Sequence, residues 1–429
     1  MKHTVAVVVF ALVTSPALGA AVTYSGTIGK TPIVVEFTAP PAEAQGPFAG
    51  RYFYASRGID IPLDAVRVQP GKLELTEERP CTEEICQQAD DGTITGIPVG
   101  AKWQLSAGRD TKTLTGTWTE NGRQQPVALT LVGSRDLPAD SEISPLGLAA
   151  ISTAFIYGDQ RIAEDTAPYD YLRMQTKQQE SPIMEWLGSS FRYLTDPRTK
   201  FKFPAIVELA DGSDPAAANA YLQDRHWAMN ADAFNCEAQQ YGGLGWSESV
   251  SYSAGTLGGY PDETIAVTAL TPALMSWTES GSLFCGGAHP YNHHEFFNLD
   301  VKTGEPLDMS RIFAGWVARD FDGNVADTAD ARTHPQDFQW GPDKALGDFV
   351  KAHRAKNGDV ALNEDCNYDE LIDSNLAINF KTPDRVLFAL GGLENAIEAC
   401  GADLYEAPVA DLNFLLTPEA VDYLPSLAD

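Results

Sequence analysis

From residue 22 to about 133, short stretches carry apolar side chains at every second position. In Thr113–Thr119, Leu114, Gly116 and Trp118 fall on one face and threonines on the other. Ile33, Val35 and Phe37 alternate likewise, as do Leu73 with Leu75, and Val127 with Leu129 and Leu131. A period of two with one apolar face marks half-buried antiparallel strands. Gly29-Lys30, Arg57-Gly58, Pro70-Gly71 and Asn121-Gly122 supply turns between them. About eight strands with no helical segment between them predict an all-β antiparallel meander, a small barrel or a curved sheet. Such a barrel holds one small ligand or is filled by its own side chains.

Residues 134–145 are polar, carry Pro138 and Pro145, and read as a linker. Beyond them the period changes. Asp214-Pro215 is a helix start, followed by Ala218, Tyr221, Leu222, Arg225 and Met229 at helical spacing. A second helix is predicted near 343–355, with Leu346, Phe349, Val350 and His353 on one face. Strands are predicted near 248–254, 264–270, 295–301, 376–380, 385–390 and 403–410. Helices set apart from mostly antiparallel strands define an α+β domain. The expected chain is multi-domain: an all-β domain over 22–133, the linker, and an α+β domain over 146–429.

Residues 1–21 have the three parts of a signal peptide. Lys2 and His3 are the positive start, the run to Val13 is the apolar centre, and Ser15–Ala20 is the small-residue cleavage zone. That run is too short to span a bilayer, and no later stretch is apolar enough, so a periplasmic or secreted protein without membrane insertion is expected. The formal net charge is −29. A field of that sign repels nucleic acid and anionic lipid and attracts basic proteins; it also serves solubility alone. The six cysteines, Cys81, Cys86, Cys236, Cys285, Cys366 and Cys400, suit three disulfides in an exported protein. Proximity favours Cys81–Cys86, Cys236–Cys285 and Cys366–Cys400, although the sequence does not exclude other connectivities.

The stretch from Gly281 to Phe313 contains Gly286-Gly287-Ala288-His289, then Asp300-x-Lys302-Thr303-Gly304, then Phe313. It resembles the Gly-Gly-Ala-His region of the RsiV-like extracellular domain family, found in lysozyme-sensing anti-sigma factors and beside some peptidoglycan deacetylases. Upstream, Phe203-Pro204-Ala-Ile206 and Ala218-Asn219 resemble that family's Pro-x-Ile strand and Asn-bearing helix. The resemblance covers roughly residues 200–425. The sequence carries neither a transmembrane sensor segment nor a deacetylase domain. What the resemblance implies is therefore an envelope-binding module, for a basic protein such as lysozyme or for envelope glycan.

Read as chemistry, Gly286 and Gly287 let the backbone take positive φ and approach a partner closely, and Pro290 fixes the exit. With Ala288, His289 and Asn292 they form the candidate binding loop; a bulge or tight corner shaping a sheet is the alternative. His289, His293, His294 and Glu295 form a cluster whose imidazoles could ligate zinc or copper. On a strand, however, His293 and His294 point to opposite faces, and the second His of the zinc-hydrolase motif is missing. Asp320, Asp322 and Asn324 alternate like the start of a calcium loop, but Val325 stands where that loop needs Gly and Ala331 where it needs Glu. Gly245-Trp-Ser-Glu-Ser249 lacks the last Gly of a nucleophile elbow, and phosphate-loop and dinucleotide fingerprints are absent, so no cofactor is expected. The leading expectation is an exported binding protein. The rival is a metal-dependent envelope hydrolase using His289, His293 and His294.

Overall fold

The computed structural model describes residues 20–44, 46–81, 85–88, 94–110, 112–138, 141–157, 161–241, 263–284, 290–354, 363–382, 384–424 and 427. Eight antiparallel strands close on themselves in the first part of the chain. They are β1 (Ala20–Ile28), β2 (Thr31–Phe37), β3 (Ala49–Tyr54), β4 (Ile61–Gln69), β5 (Lys72–Glu78), β6 (Val99–Ala107), β7 (Thr113–Glu120) and β8 (Arg123–Asp136). Each pairs with the next, and β8 returns to β1, so the barrel has no free edge. Strand β8 continues through Ser134, Arg135 and Asp136, which the sequence pattern reads as the start of the linker.

Contacts across the lumen identify the inward side chains. Tyr52 on β3 meets Trp103 on β6 edge-on at 5.0 Å, although those strands are not neighbours. Tyr24, Phe37, Leu73, Leu75, Leu114 and Leu129 are buried with them. The barrel is filled by its own side chains, the second of the two outcomes its size allows. One carboxyl sits among them. Glu77 accepts from the indole N–H groups of Trp103 (3.1 Å) and Trp118 (2.8 Å). Burial raises its pKa, while those hydrogen bonds and one from Tyr52 pull it back.

The outward face of β2 from Val34 onward, and that of β3, is buried. Helices α1 (Pro145–Tyr157) and α2 (Pro168–Met174) belong to the same unit, which runs through Arg173 apart from residues 57–59 and 80–97. Val34 and Phe53 pack on Tyr169. Beside them lie three buried arginines and three buried carboxylates. Arg51 donates from Nε to Glu36 at 2.9 Å, from Nη1 to Asp60 at 2.7 Å and from Nη2 to the Ser152 hydroxyl of α1 at 2.7 Å. Arg135 donates to Glu36 at 2.9 Å and to Asp170 of α2 at 3.2 Å. Arg173 lies 3.8 Å from Asp60, which also accepts from the Tyr169 hydroxyl at 2.8 Å. Burial alone would drive the Arg51 guanidinium toward its neutral form, but Asp60 and Glu36 outweigh it and raise its pKa.

The second unit, mainly residues 174–429, holds three larger antiparallel sheets. In the first, β9 (Ser189–Thr195) pairs with β10 (Lys202–Glu208) and with the short strands Gln179–Glu180 and Met184–Trp186. The second is β11 (Thr264–Leu270), β12 (Leu274–Leu283) and β13 (Tyr291–Asp300), edged by Glu305–Pro306. The third is β14 (Leu376–Thr382), β15 (Arg385–Leu390) and β16 (Ala402–Pro408). The long helix α3 (Ala216–Tyr241) starts at the expected cap, where the Asp214 carboxylate accepts from the Ala216 N–H at 3.0 Å. It buries Ala218 and Leu222 against Phe203, Trp277 and Leu299. Helices α4 (Lys344–Arg354) and α5 (Tyr368–Asn375) bury Leu346, Val350 and Ile372 against Phe388 and Leu404.

The Asp300–Gly304 turn has a clear physical basis. The Asp300 carboxylate accepts from the N–H groups of Lys302 (3.0 Å) and Thr303 (3.2 Å) and from the Tyr423 hydroxyl (2.7 Å). Gly304 has φ +70°, and a Cβ there would overlap the Ala217 carbonyl at the start of α3. The expected strand near 248–254 lies outside the described residues. Disulfides join Cys81 to Cys86 and Cys366 to Cys400. Cys236 is also disulfide-bonded, and its expected partner Cys285 lies outside the described residues. Among the described residues no helix is long and apolar enough to cross a membrane.

Two outcomes are expected. Glu36→Gln leaves two buried arginines facing fewer charges than they need and should cost about 3–5 kcal/mol in chemical denaturation. Glu74→Gln, at the exposed Arg67–Glu74 pair, should change little. Second, β1 begins at Ala20, paired with Asp136, and Ala21 is buried against Leu137 and Leu148. Removing Ala20 and Ala21 should therefore lower the stability of the barrel in chemical denaturation, and an unchanged midpoint would contradict it.

Candidate functional site

Strands β12 and β13 pair so that Trp277 faces Phe297, Glu279 faces Glu295 and Gly281 faces His293. These six positions share one face of the sheet, because alternate residues point the same way. Helix α3 lies over its apolar end. The Trp277 and Phe297 rings stack at 5.3 Å, and Tyr221 of α3 meets Trp277 edge-on. Arg225, one turn further along α3, reaches the first carboxylate. Its Nε and Nη2 donate to the two oxygens of Glu279 at 3.1 and 2.8 Å, and its guanidinium lies 4.3 Å from the centre of the Phe297 ring. Trp277 Nε1 donates to the same carboxylate at 2.9 Å. Glu295 is 3.9 Å from Arg225 and one-third exposed.

The polar end is built around His293. Its Nε2 lies 3.2 Å from Oε1 of Glu263, just before β11, and the Tyr291 ring stacks on the imidazole at 5.8 Å. Gly281 makes the approach possible, since a Cβ there would overlap the Glu263 carboxylate. Burial pushes the imidazole toward its neutral form, but Glu263, then Glu295 and Glu279, outweigh it and raise the pKa above the ordinary value. Glu398, in the 3-10 turn Asn395–Cys400, is close enough to sense both His293 and Glu295, and burial raises its pKa. Four carboxylates thus share one arginine and one histidine.

Sequence reasoning singled out His293 but not Glu263, Glu279, Glu398 or Gly281. These residues come from separate elements, and no local spacing announces them. The loop residues Gly286, Gly287, Ala288 and His289 lie outside the described residues. Pro290 and Asn292 sit at the start of β13 and are exposed, with Asn292 opposite Ser282.

The described residues give the metal reading no support, and His289 lies outside them. His293 is engaged by Glu263, with Nδ1 buried and without a hydrogen-bond partner. His294 lies on the other face of β13, edge-on to Phe296 at 4.6 Å. The Asp320 carboxylate turns onto its own loop, accepting from the N–H groups of Asp322 (3.0 Å) and Asn324 (2.8 Å) and from the Asn324 side chain. Among the described residues no three His, Cys, Asp or Glu side chains converge as a metal site. The histidine-based metal hydrolase has no support here.

No family profile matches the chain, and no curated protein matches it. Among solved structures, a member of the DUF3298 family from Bacteroides fragilis NCTC 9343 is similar at 13% identity with a TM-score of 0.29. The alignment covers 59% of this chain and 96% of that one.

His226 and His293 respond oppositely to pH. His226 on α3 is 4% exposed, and burial lowers its pKa from 6.5 to about 4, although the Phe201 carbonyl 3.2 Å from Nε2 opposes this. Between those values the unfolded chain binds a proton that the folded chain refuses, so stability falls with falling pH. The loss should reach about 3 kcal/mol near pH 4. His226→Gln, which keeps an N–H at the Nε2 position, should flatten that slope in pH-dependent denaturation. His293 contributes with the opposite sign: its stabilisation is complete below its unfolded pKa and is lost as pH rises through the raised folded value.

Proposed function

We propose that the protein is an exported binding protein of the cell envelope that captures a basic, lysozyme-type protein on the acidic face of β12 and β13. The observation that carries this reading is the gathering of Glu263, Glu279, Glu295 and Glu398 around only Arg225 and His293. At least two negative charges there lack a counterion among these residues. The face adjoins the start of β13, directly after the Gly286–His289 stretch on which the resemblance to lysozyme-binding domains rests. The chain's net charge of −29 adds a long-range field of the right sign for steering a cationic partner.

The residues divide the work. Arg225 holds Glu279 in place through two charge-assisted hydrogen bonds. Glu295, one-third exposed, is left to meet an incoming lysine or arginine. His293 adds positive charge when protonated, so the face is more acidic at higher pH.

The test is binding of the mature chain to a basic lysozyme-type muramidase in low and physiological salt. Screening shortens to about 8 Å at physiological ionic strength, so attraction by net charge alone fades there. A specific face keeps most of its affinity, with the on-rate falling more than the off-rate changes. Reversing Glu295 and Glu398 to lysine should weaken binding by about tenfold or more at physiological salt. Binding that disappears between the two salts, or that an unrelated acidic protein matches, would overturn the proposal.

A further inference from the structure

Helix α1 carries no charged side chain from Pro145 to Tyr157. A helix that is apolar all round is ordinarily buried all round. Here the described residues show two different sides. Leu148 and Ser152, four residues apart, are buried. Leu148 packs with Ala21 and Leu137, and the Ser152 hydroxyl accepts from Arg51 at 2.7 Å. Leu146 and Ala150, also four apart, point the other way: Leu146 is 70% exposed, and Ala150 is exposed as well. With Ile151 they form the floor of an open groove of about 970 Å³. Leu137 and Pro138, just past the end of β8, extend its apolar surface.

The rim is acidic. Asp136, Glu142 and Asp165 all line the groove and are exposed. Gly147 brings Glu142 there, because a Cβ on it would overlap the Glu142 carbonyl where the chain folds back over the helix start. No ion pair joins these three acids to a cation among the described residues. The one cation in the lining, Arg135, is buried and is held by Glu36 and Asp170, so it does not neutralise the rim. An apolar floor flanked by unpaired carboxylates selects a partner with the complementary pattern, an apolar stripe bordered by positive charge. A second copy of the chain would bring the same acids and a net charge of −29 against them.

We propose that this groove binds a cationic amphipathic peptide as a helix. The peptide's apolar stripe lies on Leu146, Ala150 and Ile151, and its lysines or arginines meet Asp136, Glu142 and Asp165. The small Ala150 side chain lets the incoming helix come close, while Leu146 and Ile151 supply the contact area. The site is separate from the acidic face of β12 and β13, since no residue of that face lines the groove.

The probe is a fluorescein-labelled synthetic helix of about four turns, with leucines on one face and lysines on the other. It is titrated with the purified protein and followed by fluorescence anisotropy at physiological salt, where attraction by net charge is screened beyond about 8 Å. Saturable one-to-one binding is expected. Leu146→Gln removes an exposed apolar side chain and should weaken binding by about tenfold with an unchanged circular dichroism spectrum. Glu142→Gln combined with Asp165→Asn should weaken it by about fivefold. A peptide of the same composition with its leucines scrambled should not saturate, and one with glutamine for lysine should bind more weakly. The Glu295→Lys and Glu398→Lys variants should bind the probe as the unaltered protein does, so this result and capture of a basic protein on the acidic face are read separately. Four outcomes would overturn the proposal: equal binding of the scrambled peptide, indifference to Leu146→Gln, loss of binding in the Glu295→Lys and Glu398→Lys variants, or a sedimenting dimer that Leu146→Gln dissociates. The last would assign the groove to a second copy of the chain.

Discussion

Three arginines and three carboxylates are buried on the outside of the β-barrel, and the architecture of the first unit follows from satisfying them. The outward positions of β2 and β3 would ordinarily carry residues that tolerate water. Here Glu36 and Arg51 take those positions, and both are essentially inaccessible. Removing ions from water costs several kcal/mol each, and only a complete set of partners repays it. The partners come from four parts of the chain: β8 gives Arg135, the segment before β4 gives Asp60, and the helices give Ser152, Asp170 and Arg173. A helix that slipped by one turn would leave an arginine or a carboxylate alone in the interior. The network therefore fixes register between helices and barrel more sharply than the apolar contacts of Val34, Phe53 and Tyr169 could.

In the second unit, α3 does comparable work by presenting different residues in different directions. Tyr221 and Arg225 reach the β11–β13 sheet, where the guanidinium neutralises Glu279 and covers Phe297. Ala216, Ala220 and Trp227 line a cleft beside β10. His226 sits beneath, neutral and stacked on Phe203. Its adjacency to Arg225 puts a permanently charged and an uncharged environment one residue apart on a single helix. Gly304, in the Asp300 turn after β13, lets that turn come close to Ala217 at the start of the helix.

The pattern of the chain reveals what has one wet face and hides what has none. The barrel strands are legible because Leu114 and Trp118 alternate with threonines, and the barrel interior follows from that. Helices α1 and α2 are not. The run Pro145–Tyr157 is apolar nearly all round, so no stripe at helical spacing stands out. Strand β12 is missed for a related reason: Leu274–Glu279 is buried on both faces, and the period of two disappears. Strand β13 is placed only over its second half, since Tyr291, His293 and His294 resemble loop residues until their pairing with β12 is known. The candidate face is legible only at His293 and Glu295, within the histidine cluster, and at Arg225, within the helical pattern of α3. A histidine cluster suggests metal ligation in one dimension, whereas the fold brings Glu263 to one ring nitrogen and buries the other.

Charge and shape then act at different ranges. The net charge of the chain cannot choose a partner, because salt screens it within about 8 Å and any cation answers it. Selectivity must come from groups held at fixed positions. On the acidic face that positioning is the Arg225–Glu279 fork beneath Glu295, which holds one carboxylate in place and leaves the next partly exposed. A chain with many surface acids gains little from one more negative side chain, but it gains from one whose geometry is set. This is why the informative acids are the few that are partly buried and paired, rather than the many that are exposed.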